Sequence, residues 1–317
     1  SVTGCAGNAT GSSDSTSASS VVESSDTSTQ TSADASSTEE SSDNGAEESK
    51  DNNSQEESKD LEANYTKYTL DGDLTQHMID MSRLNEGNKV RLANVIKKLK
   101  NGEEVTVGFI GGSITQGTSA GNELCYAKLT ADWLQQTYSS AKVNYVNAGI
   151  GATGSYIGVH RVTTDLLSKN PDLVFVEFSV NDTTEFTERN KDSYDSLLRT
   201  IWKSSTNPAI ITVATTQEDG TSFQEQHAEI VKHYDLPMIS YRNTILDTIG
   251  HGDIVWKDIS DDNIHPNVPG HKIVSQLLQA YISDVDKDID NISGNESDFS
   301  TPATNASFEN GSLLTLA

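Results

Sequence analysis

Large apolar side chains crowd into residues 65 to about 285 and thin out on both sides. Leu74 to Glu86 shows no clear period. Asn88 to Lys100 places Leu92, Val95, Ile96 and Leu99 on one face and stops at Asn101-Gly102, which predicts an amphipathic helix. Val105 to Ile110 follows as a short apolar run of the kind that fills a buried parallel strand. Next come a helix over 123–138 (Leu124, Ala127, Leu129, Trp133, Leu134), a strand over 142–147 and a Gly-rich loop from Asn147 to Gly158. A helix over 159–169 ends before Asn170-Pro171. Leu173 to Val180 is apolar nearly throughout and is predicted to be a central strand. Helix 192–204, strand 209–214, helix 221–234, strand 238–241 and a short helix near 243–249 continue the alternation. A loop from His251 to Gly270 then leads to a last helix over 271–283.

Strands separated by helices argue for repeated βα units, a parallel sheet and right-handed crossovers that cover both faces. The expected architecture is a three-layer α/β/α domain over 65–285 with about five parallel strands.

Composition changes the picture at the ends. Residues 1–64 are Ser, Thr, Asp, Glu and Asn for the most part, with 14 acidic and 2 basic side chains, net −12 of the −25 carried by the 317-residue chain. Such a stretch cannot bury enough surface to offset its ordering entropy and is expected to be a disordered tether. The negative balance argues against electrostatic nucleic-acid binding. Val2-Thr-Gly-Cys5 resembles the end of a bacterial lipoprotein signal. That resemblance implies lipid on Cys5 and an extracellular domain anchored to the cell membrane, with 1–64 as spacer. Cys125 is the other cysteine, so no disulfide framework is encoded, and neither the cysteines nor the seven histidines show metal-ligand spacing. No run of 18 apolar residues is present. From Asp286 to Ala317 the chain turns polar again, then closes with Ser312-Leu-Leu-Thr-Leu-Ala317. That run reads either as the first strand of a further domain or as a strand packing back on the core.

Candidate chemistry sits where the predicted strands end, the usual ligand-binding rim of an open α/β sheet. The first ends in Gly111-Gly112-Ser113, where glycines permit a sharp turn and a close approach. The second gives Asn147-Ala-Gly-Ile-Gly-Ala-Thr-Gly154 and the third Ser179-Val-Asn181-Asp182. The loop before the last helix gives Asp262-Asn-Ile-His265-Pro266. A serine hydroxyl needs a base within hydrogen-bond reach, an imidazole can take and return its proton, and an aspartate can fix the tautomer. Main-chain and asparagine amides can hold the oxyanion that forms.

These four stretches, in this order, resemble the four sequence blocks of the SGNH (GDSL-type) hydrolase family over roughly 105–270. The resemblance implies a flavodoxin-like fold and no cofactor. It places Ser113 on the nucleophile, Gly151 (with Gly149 as the alternative alignment) and Asn181 on the oxyanion hole together with the Ser113 N–H, and Asp262 and His265 on the Asp-x-x-His pair. Asp261 is the rival of Asp262. Gly112, Ala152 and Ser179 stand where the family more often has Asp, Asp and Gly, departures that bear on the subfamily and its substrate.

The expected function is a serine esterase working through an acyl-enzyme, with O-acetyl groups of a polysaccharide as substrate. Lipid acyl hydrolysis is the alternative within the enzymes, and a non-catalytic surface glycan-binding protein the alternative outside them. His160 and Arg161 are read as a solvated helix face in preference to a site wall. Trp133, Trp202 and Trp256 are read as core in preference to sugar platforms, with Trp256 the one to test for substrate contact. Asn-x-Ser/Thr matches such as Asn305-Ala-Ser carry little weight.

Overall fold

The computed structural model of the chain describes residues 65–311. The tether expected over 1–64, Cys5 and the apolar run 312–317 lie outside the described residues.

In chain order the elements are α1 (Gln76–Ser82), β1 (Arg83–Asn85), α2 (Val90–Lys100), β2 (Glu104–Gly111), α3 (Ser113–Gln116), α4 (Tyr126–Thr137) and β3 (Lys142–Gly149). There follow α5 (Ser155–Asp165), a 3₁₀ turn at Leu167–Lys169, β4 (Leu173–Glu177), α6 (Thr187–Trp202), β5 (Ala209–Ala214) and α7 (Gln224–His233). β6 (Met238–Ser240), α8 (Tyr241–Gly250), α9 (Trp256–Ile259) and α10 (Val268–Lys287) complete the domain. Sheet order is β1-β6-β5-β4-β2-β3, with β6, β5, β4, β2 and β3 parallel as expected. The sixth strand, β1, pairs antiparallel with β6 at the edge. Its three residues are too few to show an alternating pattern, which is why Leu74 to Glu86 reads as featureless.

Alternate positions of the parallel strands feed two separate apolar cores, as a sheet covered on both faces requires. Phe109, Leu173, Phe175, Ile211 and Val213 pack with α2, α4, α8 and α10. Ile110, Val174, Val176 and Ile210 pack with α5, α6 and α7 on the opposite face. Phe109 stacks on Phe175, centroids 4.6 Å apart, on the first of these faces. β4 is buried at every position, as expected of a central strand. It leaves the sheet at Glu177, three residues earlier than the apolar run suggested; Phe178 and Val180 stay buried but belong to the turn that carries Asn181.

Two expectations are corrected. The domain does not end at 285. α10 runs to Lys287, and the polar stretch behind it returns to the α6–α7 face, where Phe299 stacks between Trp202 (4.5 Å) and Tyr234 (3.9 Å). Arg199 donates to the Phe299 carbonyl (2.9 Å) and pairs with Glu309 (2.8 Å), and Thr304 donates to Asp192 and Asp195. The polar residues of this stretch are hydrogen-bonded into the domain, so their composition hid one buried aromatic anchor. Nor are His160 and Arg161 a solvated face. Arg161 is buried and donates to the carbonyls of Ala148 (2.6 Å) and Gly111 (3.1 Å), tying the ends of β3 and β2 together. Burial lowers its pKa, and Asp165 offsets only part of that. His160 is covered by Tyr156 and Phe308.

Among the described residues no helix is long and apolar enough to cross a membrane.

Candidate active site

The parallel register brings three strand ends to one level: Gly111 of β2 pairs with Gly149 of β3 and with Glu177 of β4. Ser113 opens α3 directly after β2, so its N–H is one of the first-turn amides that have no acceptor within their own helix. Gly117 ends α3 with φ 101°, a left-handed conformation suited to glycine.

His265 reaches Ser113 from the far end of the chain. Its Nε2 lies 2.9 Å from Ser113 Oγ and its Nδ1 lies 2.8 Å from Asp262 Oδ2. With Nδ1–H donating to the carboxylate, Nε2 accepts from the serine hydroxyl, the arrangement a nucleophile and its base require. Asp262 also accepts the backbone N–H of Ile264 (2.7 Å) and of His265 (2.6 Å). Partial burial pushes its carboxyl up, but these donors and the imidazole together outweigh burial and hold it at about 2. Asp261, its rival, makes none of these contacts and is exposed.

The loop carrying Asp262 and His265 is held from beneath. Ser260 Oγ donates to the carbonyls of Asp262 (2.8 Å) and His265 (2.6 Å), and Trp256 Nε1 donates to the Asp262 carbonyl (2.6 Å). Trp256 is therefore a buried support of this loop, in keeping with its reading as core and not as a sugar platform. Trp202 is core as expected, and Trp133 is half-buried against the α2–α4–α10 core.

Asn181 lies over Gly112. A Cβ on Gly112 would overlap Asn181 Oδ1, which is buried without a hydrogen-bond partner, while Nδ2 makes no hydrogen bond among the described residues. Gly112 itself has φ −87° and ψ −146°, so glycine is needed here for space and not for an unusual turn. The next residue fixes the position of Asn181. Asp182 is buried, accepts the Ser155 N–H that opens α5 (2.8 Å), and lies 2.9 Å from Nε2 of the buried His227 on α7. His227 stacks on Tyr194 at 3.6 Å.

Of the two candidate glycines, Gly149 has its N–H bonded to Asn147 Oδ1 (2.8 Å) and its Cα packed against α3. Gly151 faces Ser113, and its N–H donates to Gln116 Oε1 (2.9 Å). A side-chain carbonyl oxygen thus occupies the Gly151 donor.

Sequence reasoning missed four supporting groups. Gln116 is the first, His227 the second. The third is Glu177, wholly buried at the end of β4, which accepts from Thr215 Oγ1 (2.7 Å), Ser179 N–H (3.2 Å) and Ser179 Oγ (3.3 Å). Burial pushes its carboxyl up to about 7 against the pull of those donors. The fourth is His271, which accepts the Tyr126 N–H (3.1 Å) and bridges α4 to Thr118. Burial brings its pKa down to about 4, against the opposing pull of the Thr118 carbonyl, so it is neutral. Only Glu177 left a trace in the sequence, as the one charge inside an apolar run.

A model of the GDSL-like Lipase/Acylhydrolase family matches residues 109–273, a span that contains every strand-end loop described above. The chain belongs to this family. Among the solved structures similar to it are two of a two-domain esterase active on acetylated mannans. One, co-crystallized with mannopentaose, is 37% identical, covers 73% of this chain and 61% of its own, and has a TM-score of 0.68. The other is 37% identical over 73% of this chain and 62% of its own, with a TM-score of 0.70. The chain thus spans about three-fifths of the length of the two-domain esterase it resembles. No curated protein sequence matches. The shared fold agrees with the flavodoxin-like sheet expected of an SGNH hydrolase.

A raised carboxyl pKa in the folded state gives a stability contribution that is full below the unfolded value, near 4.5, and is lost as pH rises through about 7. Glu177→Gln keeps the shape and removes this titration. Relative to wild type it gains on the order of 3 kcal/mol between pH 5 and pH 8 in urea unfolding. A gap between the two proteins that stays constant over that range contradicts the buried titration.

Proposed function

We propose that the protein is a serine esterase that removes O-acetyl groups from a polysaccharide through an acetyl-enzyme. The observation that carries this reading is the hydrogen-bonded run from Ser113 Oγ through His265 to Asp262. Ser113 Oγ attacks the acetyl carbonyl carbon while His265 Nε2 takes the hydroxyl proton. His265 returns that proton to the departing sugar oxygen as the ester bond breaks, leaving acetyl-Ser113. Water, deprotonated by His265, then attacks the acetyl carbon; the bond to Ser113 Oγ breaks, His265 returns the proton to that oxygen, and acetate leaves. Asp262 holds the imidazole tautomer and steadies its charged form.

The oxyanion is held by the Ser113 N–H, the Gly151 N–H and Asn181 Nδ2. Gln116 Oε1 satisfies the Gly151 N–H until the substrate oxygen displaces it. Beside Gln116 a cavity of about 360 Å³ is walled in part by Asn122, Glu123, Lys128, Tyr145 and Asn147. Amide, hydroxyl and charged walls suit a hydroxyl-rich ligand better than a fatty acyl chain. The activity on acetylated mannans of the similar two-domain esterase supports the same substrate class and makes mannan the first to test. In this reading residues 1–64 are a spacer and Cys5 the lipid-bearing residue that keeps the enzyme at the cell surface.

The direct test is acetate release from acetylated mannan, xylan, pectin and peptidoglycan, with a chain-length series of nitrophenyl esters. Turnover of an acetylated glycan and preference for the acetate ester are expected. Preference for octanoate or longer replaces the substrate with a lipid ester, and glycan binding without turnover removes the enzyme reading altogether. Ser113→Ala lowers kcat by about 10⁴- to 10⁶-fold; a retained rate contradicts the mechanism.

Gly112→Ala tests the placement of Asn181. The new methyl displaces the Asn181 carboxamide and lowers kcat by about 10²-fold, the effect of losing one oxyanion donor. An unchanged kcat shows that Asn181 takes no part in holding the oxyanion.

A further inference from the structure

Away from the rim that carries Ser113, the structure gathers a second cluster of metal-ligand side chains. His77 lies on α1, Asp247 in the last turn of α8, and His251 at the C-cap of α8. Asp247 and His251 are four residues apart and share one helix face, the spacing by which helices present paired ligands. His77 comes from a separate helix, 170 residues away in sequence, and places Nε2 2.7 Å from Asp247 Oδ2. His251 Nδ1 lies 3.4 Å from the same carboxylate oxygen and 3.0 Å from the Asp247 backbone carbonyl, a hydrogen bond that ligation through this nitrogen would replace. One ligand atom from each of the three side chains lies within 4.8 Å of the others.

We propose that His77, Asp247 and His251 form a binding site for a divalent transition metal ion, with Zn²⁺ the best chemical match. Two imidazole nitrogens and one carboxylate oxygen form a donor set that suits Zn²⁺ and its first-row neighbours, whereas Ca²⁺ and Mg²⁺ prefer oxygen. In a tetrahedral site with bonds of about 2.0–2.1 Å, ligand atoms stand about 3.3 Å apart. The 3.4 Å separation already has that value, and the 2.7 Å one opens to it through a small side-chain rotation.

The surroundings hold the ligands in place. His77 is almost wholly buried, and the rings of His77 and His251 stand edge-on at 5.6 Å and 82°. Tyr65 stacks on His251 (4.1 Å, 15°), meets His77 edge-on (5.3 Å) and donates its hydroxyl to Asp253 Oδ2. Asp253 also accepts the Tyr68 N–H at 2.7 Å. Outer groups that fix the orientation of histidine rings are a regular part of metal sites. A bound ion would fasten α1 and the Tyr65–Tyr68 segment to the C-terminal end of α8.

This site is independent of the esterase chemistry. α8 begins at the carboxyl end of β6, and at 1.5 Å per residue Asp247 and His251 lie about 9 and 15 Å along it. Sequence spacing concealed the site because the third ligand is remote in the chain, and the Asp-x-x-x-His pair alone is unremarkable.

The test uses the full, tag-free chain stripped with chelator, dialysed against ZnCl₂ and assayed by elemental analysis and thermal unfolding. One Zn²⁺ per chain is expected, with a rise in Tm of about 5–10 °C when Zn²⁺ exceeds its Kd a hundredfold. Asp247→Asn and His251→Gln are expected to unfold at the wild-type temperature in chelator but to lose both the bound zinc and the shift. These two positions are less buried than His77, so folding of the variants does not decide the outcome. Zinc absent from the wild type, zinc retained equally by both variants, or a Tm that ignores Zn²⁺ overturns the proposal.

Discussion

The site depends on the pairing of β2 with both of its neighbours. Because Gly111 stands in register with Gly149 on one side and Glu177 on the other, three loops leave the sheet at the same height. Arg161 then donates to the carbonyls of Gly111 and Ala148 where the ladder ends, the Gly111 carbonyl also accepting the Ile150 N–H. Ser113, Asn181 and Gly151 inherit their mutual placement from this alignment. His265 and Asp262 approach from outside the sheet, on a loop made rigid by Ser260 and Trp256.

Polar groups buried beneath the rim do a second job. Glu177 gathers the donors of Ser179 and Thr215 at the exit of β4, and Asp182 joins α5 to His227 on α7. Buried polar networks are costly when incomplete and specifying when complete. Here they flank Asn181 from both directions, so the turn that carries it has little freedom. The packing of Asn181 on Gly112 also explains why glycine precedes Ser113 in this chain. Space above that Cα is taken by the asparagine, and a larger residue requires a different placement of the amide.

β2, β4, β5 and most of the helices were legible from their apolar runs and periods, and β3 and the three-residue β6 from their places in the βα alternation. β1 was not, since three residues on a sheet edge leave no period. The segment 288–311 was misread because its stability rests on one aromatic, Phe299, and on hydrogen bonds that composition cannot show. At the site, Ser113, Asn181, Asp262 and His265 were legible through their family blocks. Trp256, Arg161, His227 and Gln116 were not, because their partners lie far along the chain and their roles arise from folding alone.

The central claim is that Ser113 is a nucleophile activated by His265. The most direct measurement is mass spectrometry of the intact chain after treatment with a nitrophenyl alkylphosphonate, followed by peptide mapping. The account predicts one phosphonyl group per chain, on Ser113, formed much more slowly in His265→Ala. Label on another residue, or esterase turnover that continues in a chain fully labelled at Ser113, would contradict it.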